Sequence, residues 1–423
     1  MIKKILGIFL VINLLFSCSK KMESRDNKFM SLSQMEKEYE YFWKFIYEAY
    51  PYKNVCIRNG IDLENIEQIY KNNLESIKNE FQYYKFYKYL IAQITGHKYY
   101  GHFYPLNYTM YYYDIKTWLP EYDDYELVKP IQEDENIIKF YDKGLIEYET
   151  VLYKNFTSSK MFCNKPYSNT IEKFEFKPLK ENEIFYIKIP TFMNSDDFDW
   201  EKFHDVWKEI CIKNYKHIII DVQNNMGGSM SNCEDFIIYP FLKENKIYKA
   251  FVMYRYTKFS DKYIPYFFNQ EKQELEISIS KNEILDLPKI NQDDKEEFNI
   301  FYTVFYKLNP INSSYNFEGK FWVLVDSNSF SASDRFASFC RQTKFATVVG
   351  YNTGGDGLQG FHPVFLKLPD SGLIIKYDMF YGLNPDGSCN SEVGTAPDIY
   401  NLPGKDALET CLEEIRKLGE KTN

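Results

Sequence analysis

The chain has 423 residues, enough for one large domain or two to three smaller ones, and its 44% hydrophobic and 26% charged content describes a chain that folds around a core. The formal net charge of −9 and the lack of a long basic run argue against a nucleic-acid partner, because an acidic surface repels phosphate backbones. The 38 Tyr and 35 Phe recur beside Lys, Asn and Ile throughout, as a general compositional bias rather than a stacking site.

The elements follow in chain order. Lys3 and Lys4 precede an apolar run from Ile5 to Phe16, too short to span a bilayer and suited to the apolar stretch of a signal peptide. The run ends in Leu15-Phe16-Ser17-Cys18, which resembles a bacterial lipobox with Cys18 as the acylated residue. Residues 1–18 are therefore expected to be a lipoprotein signal and anchor, placing the mature chain on the extracytoplasmic side of a bacterial membrane. Residues 33–50 have an amphipathic helical pattern ended near Pro51, and a second helical stretch runs over residues 63–94, with Gly96 as its stop. These give a helical N-terminal domain over residues 19–105. A Tyr-rich stretch with a β-leaning composition suggests a small β-rich segment over residues 106–180.

From residue 181 onward the pattern is strand alternating with helix. Residues 184–190, 217–222, 321–325 and 346–350 are apolar runs of the kind found in buried parallel strands. Residues 196–212 and 331–342 carry helical periodicity between them, and residues 246–315 form a charged, aromatic insertion suited to a lid. Beyond Cys18 there are seven cysteines at scattered spacings and no C-x-x-C pair, so a zinc site has no support and buried free thiols are expected.

Two turns at strand ends carry chemistry. Asp221-Val222-Gln223-Asn224-Asn225-Met226-Gly227-Gly228 follows a buried strand, and adjacent glycines leave backbone N–H groups uncovered, as an oxyanion hole requires. Ser327-Asn328-Ser329-Phe330-Ser331-Ala332-Ser333-Asp334 follows another and opens a helix, whose N-terminus favours developing negative charge. Alone, the first reads equally well as a tight turn, and the second is better explained as a helix cap.

Together, and in order with Val348-Val349-Gly350-Tyr351-Asn352-Thr353-Gly354-Gly355 and Gly394-Thr395-Ala396-Pro397-Asp398-Ile399, they resemble the tail-specific, or C-terminal-processing, serine peptidases. This family is related to the catalytic core of the tricorn protease. The resemblance spans about residues 183–400. It implies an α/β fold with a ClpP/crotonase-like catalytic core over residues 181–423, a protein or peptide substrate, and no metal or organic cofactor. It maps the nucleophile onto Ser331 and the oxyanion donors onto the N–H groups of Gly227, Gly228 and Ala332.

The sequence departs from the family at the general base. Many members place a Lys 25 positions after the Ser; here that position is Asp356. An ordinary Asp, with a pKa near 4, is too weak a base to deprotonate a Ser hydroxyl, so a Ser–Lys dyad is excluded. The tricorn-like branch uses a His from the N-terminal region, and both His97 and His102 follow a Gly there. His102, in Tyr100-Gly101-His102-Phe103, fits that branch better. The orienting acid implied by the branch falls nearest Glu392, although Ser391 occupies the family position itself. His204, His217 and His362 read as structural, and Asp334 as electrostatic support for the first turn of its helix. Two other readings share the fold: an inactive peptide-binding protein, which the missing Lys suggests, and a serine esterase.

Overall fold

The computed structural model describes residues 29–118, 125–145, 173–193, 199–268, 275–310 and 315–421. The expected signal segment with Cys18, and Cys163, lie outside them.

Helix α1 (Leu32–Glu48) starts at a capping box in which Ser31 and Gln34 exchange hydrogen bonds, and it buries Met35, Tyr39, Phe42, Trp43, Phe45 and Ile46 along one side. Short α2 (Lys53–Arg58) follows. The second expected helix is two: α3 (Leu63–Lys71) and α4 (Glu80–Ile94). The Asn-rich stretch between them breaks the periodicity, and Asn79 caps α4 by accepting from the Gln82 N–H at 2.9 Å. The two-residue strand β1 (Tyr104–Pro105) comes next. The expected β-rich segment is corrected in its described part. Residues 108–118, 125–132 and 135–145 are short helical turns, and strand begins only at residue 175. Tyr favours strands on average, but here Tyr111 and Tyr141 stack with ring centroids 4.2 Å apart across two helical turns, so packing overrides propensity.

The central sheet has the order β13-β9-β8-β4-β3-β2. Strands β3 (Ile184–Lys188), β4 (His217–Asp221), β8 (Lys320–Val325), β9 (Thr347–Gly350) and β13 (Ile399–Tyr400) are parallel, and β2 (Glu175–Lys180) is an antiparallel edge. Side chains alternate between its faces with period two. Ile184, Tyr186, Ile219, Trp322, Leu324 and Val349 pack under α7 (Ala407–Lys421). Phe185, Ile187, Ile218, Ile220, Phe321, Val323 and Val348 belong to the main core, with α5 (Lys202–Ile212) and α6 (Ala332–Thr343).

Residues 246–315 are not a loose flap in their described part. Strands β5 (Lys246–Tyr254), β6 (Leu275–Ile279) and β7 (Ile300–Leu308) form an antiparallel sheet completed by β12 (Tyr381–Leu383), in the order β12-β5-β7-β6. This sheet rests on α6, where the Arg335 guanidinium sits 3.9 Å over the Tyr306 ring and its Nε donates to Tyr248 Oη at 2.8 Å.

A third sheet positions the site. Strand β11 (Ile374–Tyr377) pairs with β10 (Val364–Lys367) on one side and with β1 on the other, in register Tyr104 to Lys376. Buried Glu38 of α1 fastens this hairpin to the helices: it accepts from the Tyr83 hydroxyl at 2.6 Å and from the Ser371 N–H at 2.7 Å. The N-terminal helices and the hairpin thus share one core.

Candidate active site

Ser331 stands at the junction of β8 and α6. The turn before it is tied by Ser329, whose hydroxyl donates to the Val222 carbonyl at 2.8 Å, and by Phe330, whose N–H donates to the Asn225 carbonyl at 3.0 Å. Ser331 has φ 56° and ψ −116°, a left-handed backbone that non-glycine residues rarely adopt. Such strain persists only where the surroundings enforce it, and it is concentrated at functional sites. It lifts the side chain off the helix: Ser331 makes no capping hydrogen bond, so its hydroxyl is available to a partner outside α6.

That partner is His102. Its Nε2 lies 3.0 Å from Ser331 Oγ, and its Nδ1 lies 2.8 Å from Asp378 Oδ2. A carboxylate at Nδ1 holds the ring proton there and leaves Nε2 as an acceptor for the serine hydroxyl. The β1–β11 pairing makes this meeting possible, because His102 lies two residues before β1 and Asp378 immediately follows β11. The Asp378 N–H also donates to the Gly101 carbonyl at 2.7 Å, so backbone and side chain are held together.

The electrostatics favour a charged imidazole once it takes a proton. Burial pushes His102 down, but the charge and hydrogen bond of Asp378, with the charge of Asp356 behind it, outweigh this, and the ring lies above its ordinary value. Lys376, paired with Asp114 at 2.8 Å, opposes the rise. Burial and the neighbouring Asp378 push Asp356 up, against the pull of His102 and Ser391.

Opposite Ser331 lies the glycine turn. A Cβ at Gly227 would fall 2.9 Å from Ser331 Cβ and 2.8 Å from the Phe330 carbonyl oxygen, so only glycine fits this approach. Of the three expected oxyanion donors, Gly227 is already committed, since its N–H donates to Asn225 Oδ1 at 2.9 Å. The N–H groups of Gly228 and Ala332 make no hydrogen bond among the described residues.

The structure brings Ser331, His102, Gly228 and Ala332 together and leaves two expected site residues apart. His97 is exposed, with its ring 3.1 Å from Gln93 Nε2. Glu392 is bound by Arg58, with Nε at 3.0 Å, and by Asn59 at 2.9 Å; it does not reach His102, and Asp378 stands in the orienting place. Asp334 is buried. It accepts from the N–H groups of Gly357 at 3.0 Å and Thr395 at 3.1 Å and from the Thr353 hydroxyl, so it ties α6 to the following loop rather than supporting its own helix turn. Among the described residues, His102, Asp356 and Asp378 are the one grouping close enough to share a metal ion. His102 Nδ1 and Asp378 Oδ2 engage each other, and the Asp356 carboxylate accepts from Gly101, Gln359 and Ser391.

Residues 183–401 match the model of peptidase family S41. Among solved structures, mature CPAF complexed with lactacystin aligns with a TM-score of 0.50 and 12% identity, over 92% of this chain and 97% of that one. A peptidase candidate from Parabacteroides merdae ATCC 43184 aligns with a TM-score of 0.48 and 16% identity, over 91% and 97%. The tricorn protease aligns with a TM-score of 0.40 and 13% identity, over 92% of this chain and 37% of that one. No curated protein sequence matches at a significant level.

Proposed function

We propose, since this chain belongs to peptidase family S41, that Ser331, His102 and Asp378 are the catalytic triad of a serine peptidase. The observation that carries the assignment is the continuous hydrogen-bond path Ser331 Oγ–His102 Nε2–Asp378 Oδ2, at 3.0 and 2.8 Å. His102 Nε2 takes the serine proton as Ser331 attacks the peptide carbonyl, and Asp378 steadies the imidazolium. The Gly228 and Ala332 N–H groups donate hydrogen bonds to the developing oxyanion, the protonated His102 delivers its proton to the leaving amine, and water releases the acyl-enzyme. Asp356, where many relatives have a basic Lys, removes one base; His102 supplies another, which argues against an inactive binding protein.

Hydrolysis of an unfolded protein and labelling by a serine-directed phosphonate test this reading. Ser331→Ala is expected to abolish labelling and lower kcat by roughly 10⁴-fold or more. Labelling at another serine, or unchanged hydrolysis, would overturn it.

We further propose that Cys18 carries a lipid that holds the protein outside the cytoplasm. The Lys3–Lys4 start, the apolar run and the Ser17-Cys18 junction support this. Metabolic labelling with a palmitate analogue should mark the wild type and not Cys18→Ala.

A further inference from the structure

Asp356 sits between Gly355 and Gly357 in the loop after β9, at φ 61°. Its carboxylate is enclosed, and every partner that the structure gives it is a donor. The Gly101 N–H approaches at 3.0 and 3.2 Å, the His102 N–H at 3.3 Å and Gln359 Nε2 at 2.7 Å, and the Ser391 hydroxyl completes the set. The first two donors belong to the left-handed turn that presents the imidazole, with φ 69° at Gly101 and 48° at His102. Consecutive left-handed residues turn their N–H groups to one side, and a carboxylate there holds them in that conformation. One residue earlier, the Gly355 carbonyl accepts from the Ser331 N–H at 2.8 Å. The same two residues therefore grip the backbone of the nucleophile and the backbone of the base.

We propose that Gly355–Asp356 is a clamp that keeps Ser331 and His102 in register, with Asp356 as a positioning residue that acts through the backbone of His102. The inference rests on the triad assignment above. A second effect follows from the location of the charge. Asp356 interacts electrostatically with His102, Asp378, Tyr50 and Tyr52, and its negative charge raises the basicity of His102. A carboxylate that only filled a buried niche would contribute to folding and leave the pH dependence of turnover unchanged.

The test uses the full chain, with active sites counted by phosphonate titration so that misfolded protein does not enter kcat. Asp356→Asn keeps one acceptor for the turn and loses the charge. It is expected to lower kcat per active site by about 10- to 100-fold, with KM within about twofold, and to move the acid limb of the kcat profile to lower pH. Ser391→Ala, which removes one donor to Asp356, should produce a smaller loss of kcat. The imidazole titration of His102, followed by NMR in a Ser331→Ala background with and without Asp356→Asn, reads the same coupling without turnover, and the added substitution should lower the midpoint. Loss of stability with kcat, acid limb and imidazole titration all unchanged would overturn the proposal. Failure of the triad assignment would show separately, as activity surviving Ser331→Ala alone.

Discussion

The two halves of the proposed active site are built differently. Ser331 and the proposed oxyanion donors lie on turns at the ends of adjacent parallel strands, β4 and β8, whose residues pair directly from His217–Lys320 to Asp221–Leu324. His102 and Asp378 come from segments 276 residues apart in the chain and meet only because β1 pairs with β11. The first half depends on a buried sheet, while the second depends on a two-residue strand and the loops around it. A nucleophile can thus be set by local geometry while its base is set by long-range packing, and damage to the second should disable chemistry while leaving the sheet intact.

The largest effect expected from this contrast concerns the two candidate bases. His102→Ala should lower kcat/KM by roughly 10⁴-fold while the protein stays folded, and His97→Ala should leave it within about twofold, because His97 touches Gln93 and not Ser331. Steady-state hydrolysis of a peptide substrate checks both; a large loss with His97→Ala would break the comparison.

A smaller effect lies in the pH profile. The base must be neutral to accept the serine proton, and His102 is held above its ordinary value of 6.5. kcat/KM should therefore rise with pH through a limb above 6.5, and a limb below that value would show that Asp378 and Asp356 do not act on the ring as described.

The smallest effect belongs to Glu392. Arg58 joins it to Asp294 at 3.0 Å and to the Tyr381 hydroxyl at 3.1 Å, linking α2, the insertion and β12. Glu392→Gln should cost about 1–2 kcal/mol of stability, seen as a fall in Tm of a few degrees, with kcat/KM within about threefold of wild type. A large loss of activity without a change in Tm would return Glu392 to the active site.

The same contrast explains what the sequence disclosed. The strands at residues 217–222 and 321–325 are continuous apolar runs, and the turns after them resemble a known family when taken together, so the proposed nucleophile and oxyanion turn could be named from the sequence. Asp378 was not, because nothing near it in the chain marks it: it follows a four-residue strand, and its partner is set by a pairing that a single sequence does not reveal. The signal that was present is the Pro369-Asp370-Ser371-Gly372 turn, which announces a hairpin and hence a strand ending near residue 377. Glu392 was favoured by proximity in sequence to the Gly394 motif, but Arg58, from the far end of the chain, claims it. The aromatic excess also finds its physical place: Tyr39, Tyr50, Tyr52, Tyr83, Tyr87 and Tyr111 are fully buried, so tyrosine here is core material.

The central claim is that Asp378, reached through the β1–β11 pairing, orients the catalytic histidine. Its most direct test is kcat/KM for Asp378→Asn measured beside Glu392→Gln on one peptide substrate. A fall of about 10⁴-fold for Asp378→Asn, with correct folding and with Glu392→Gln near wild type, is the predicted result. Near-normal activity in Asp378→Asn, or the large loss appearing in Glu392→Gln instead, would contradict it.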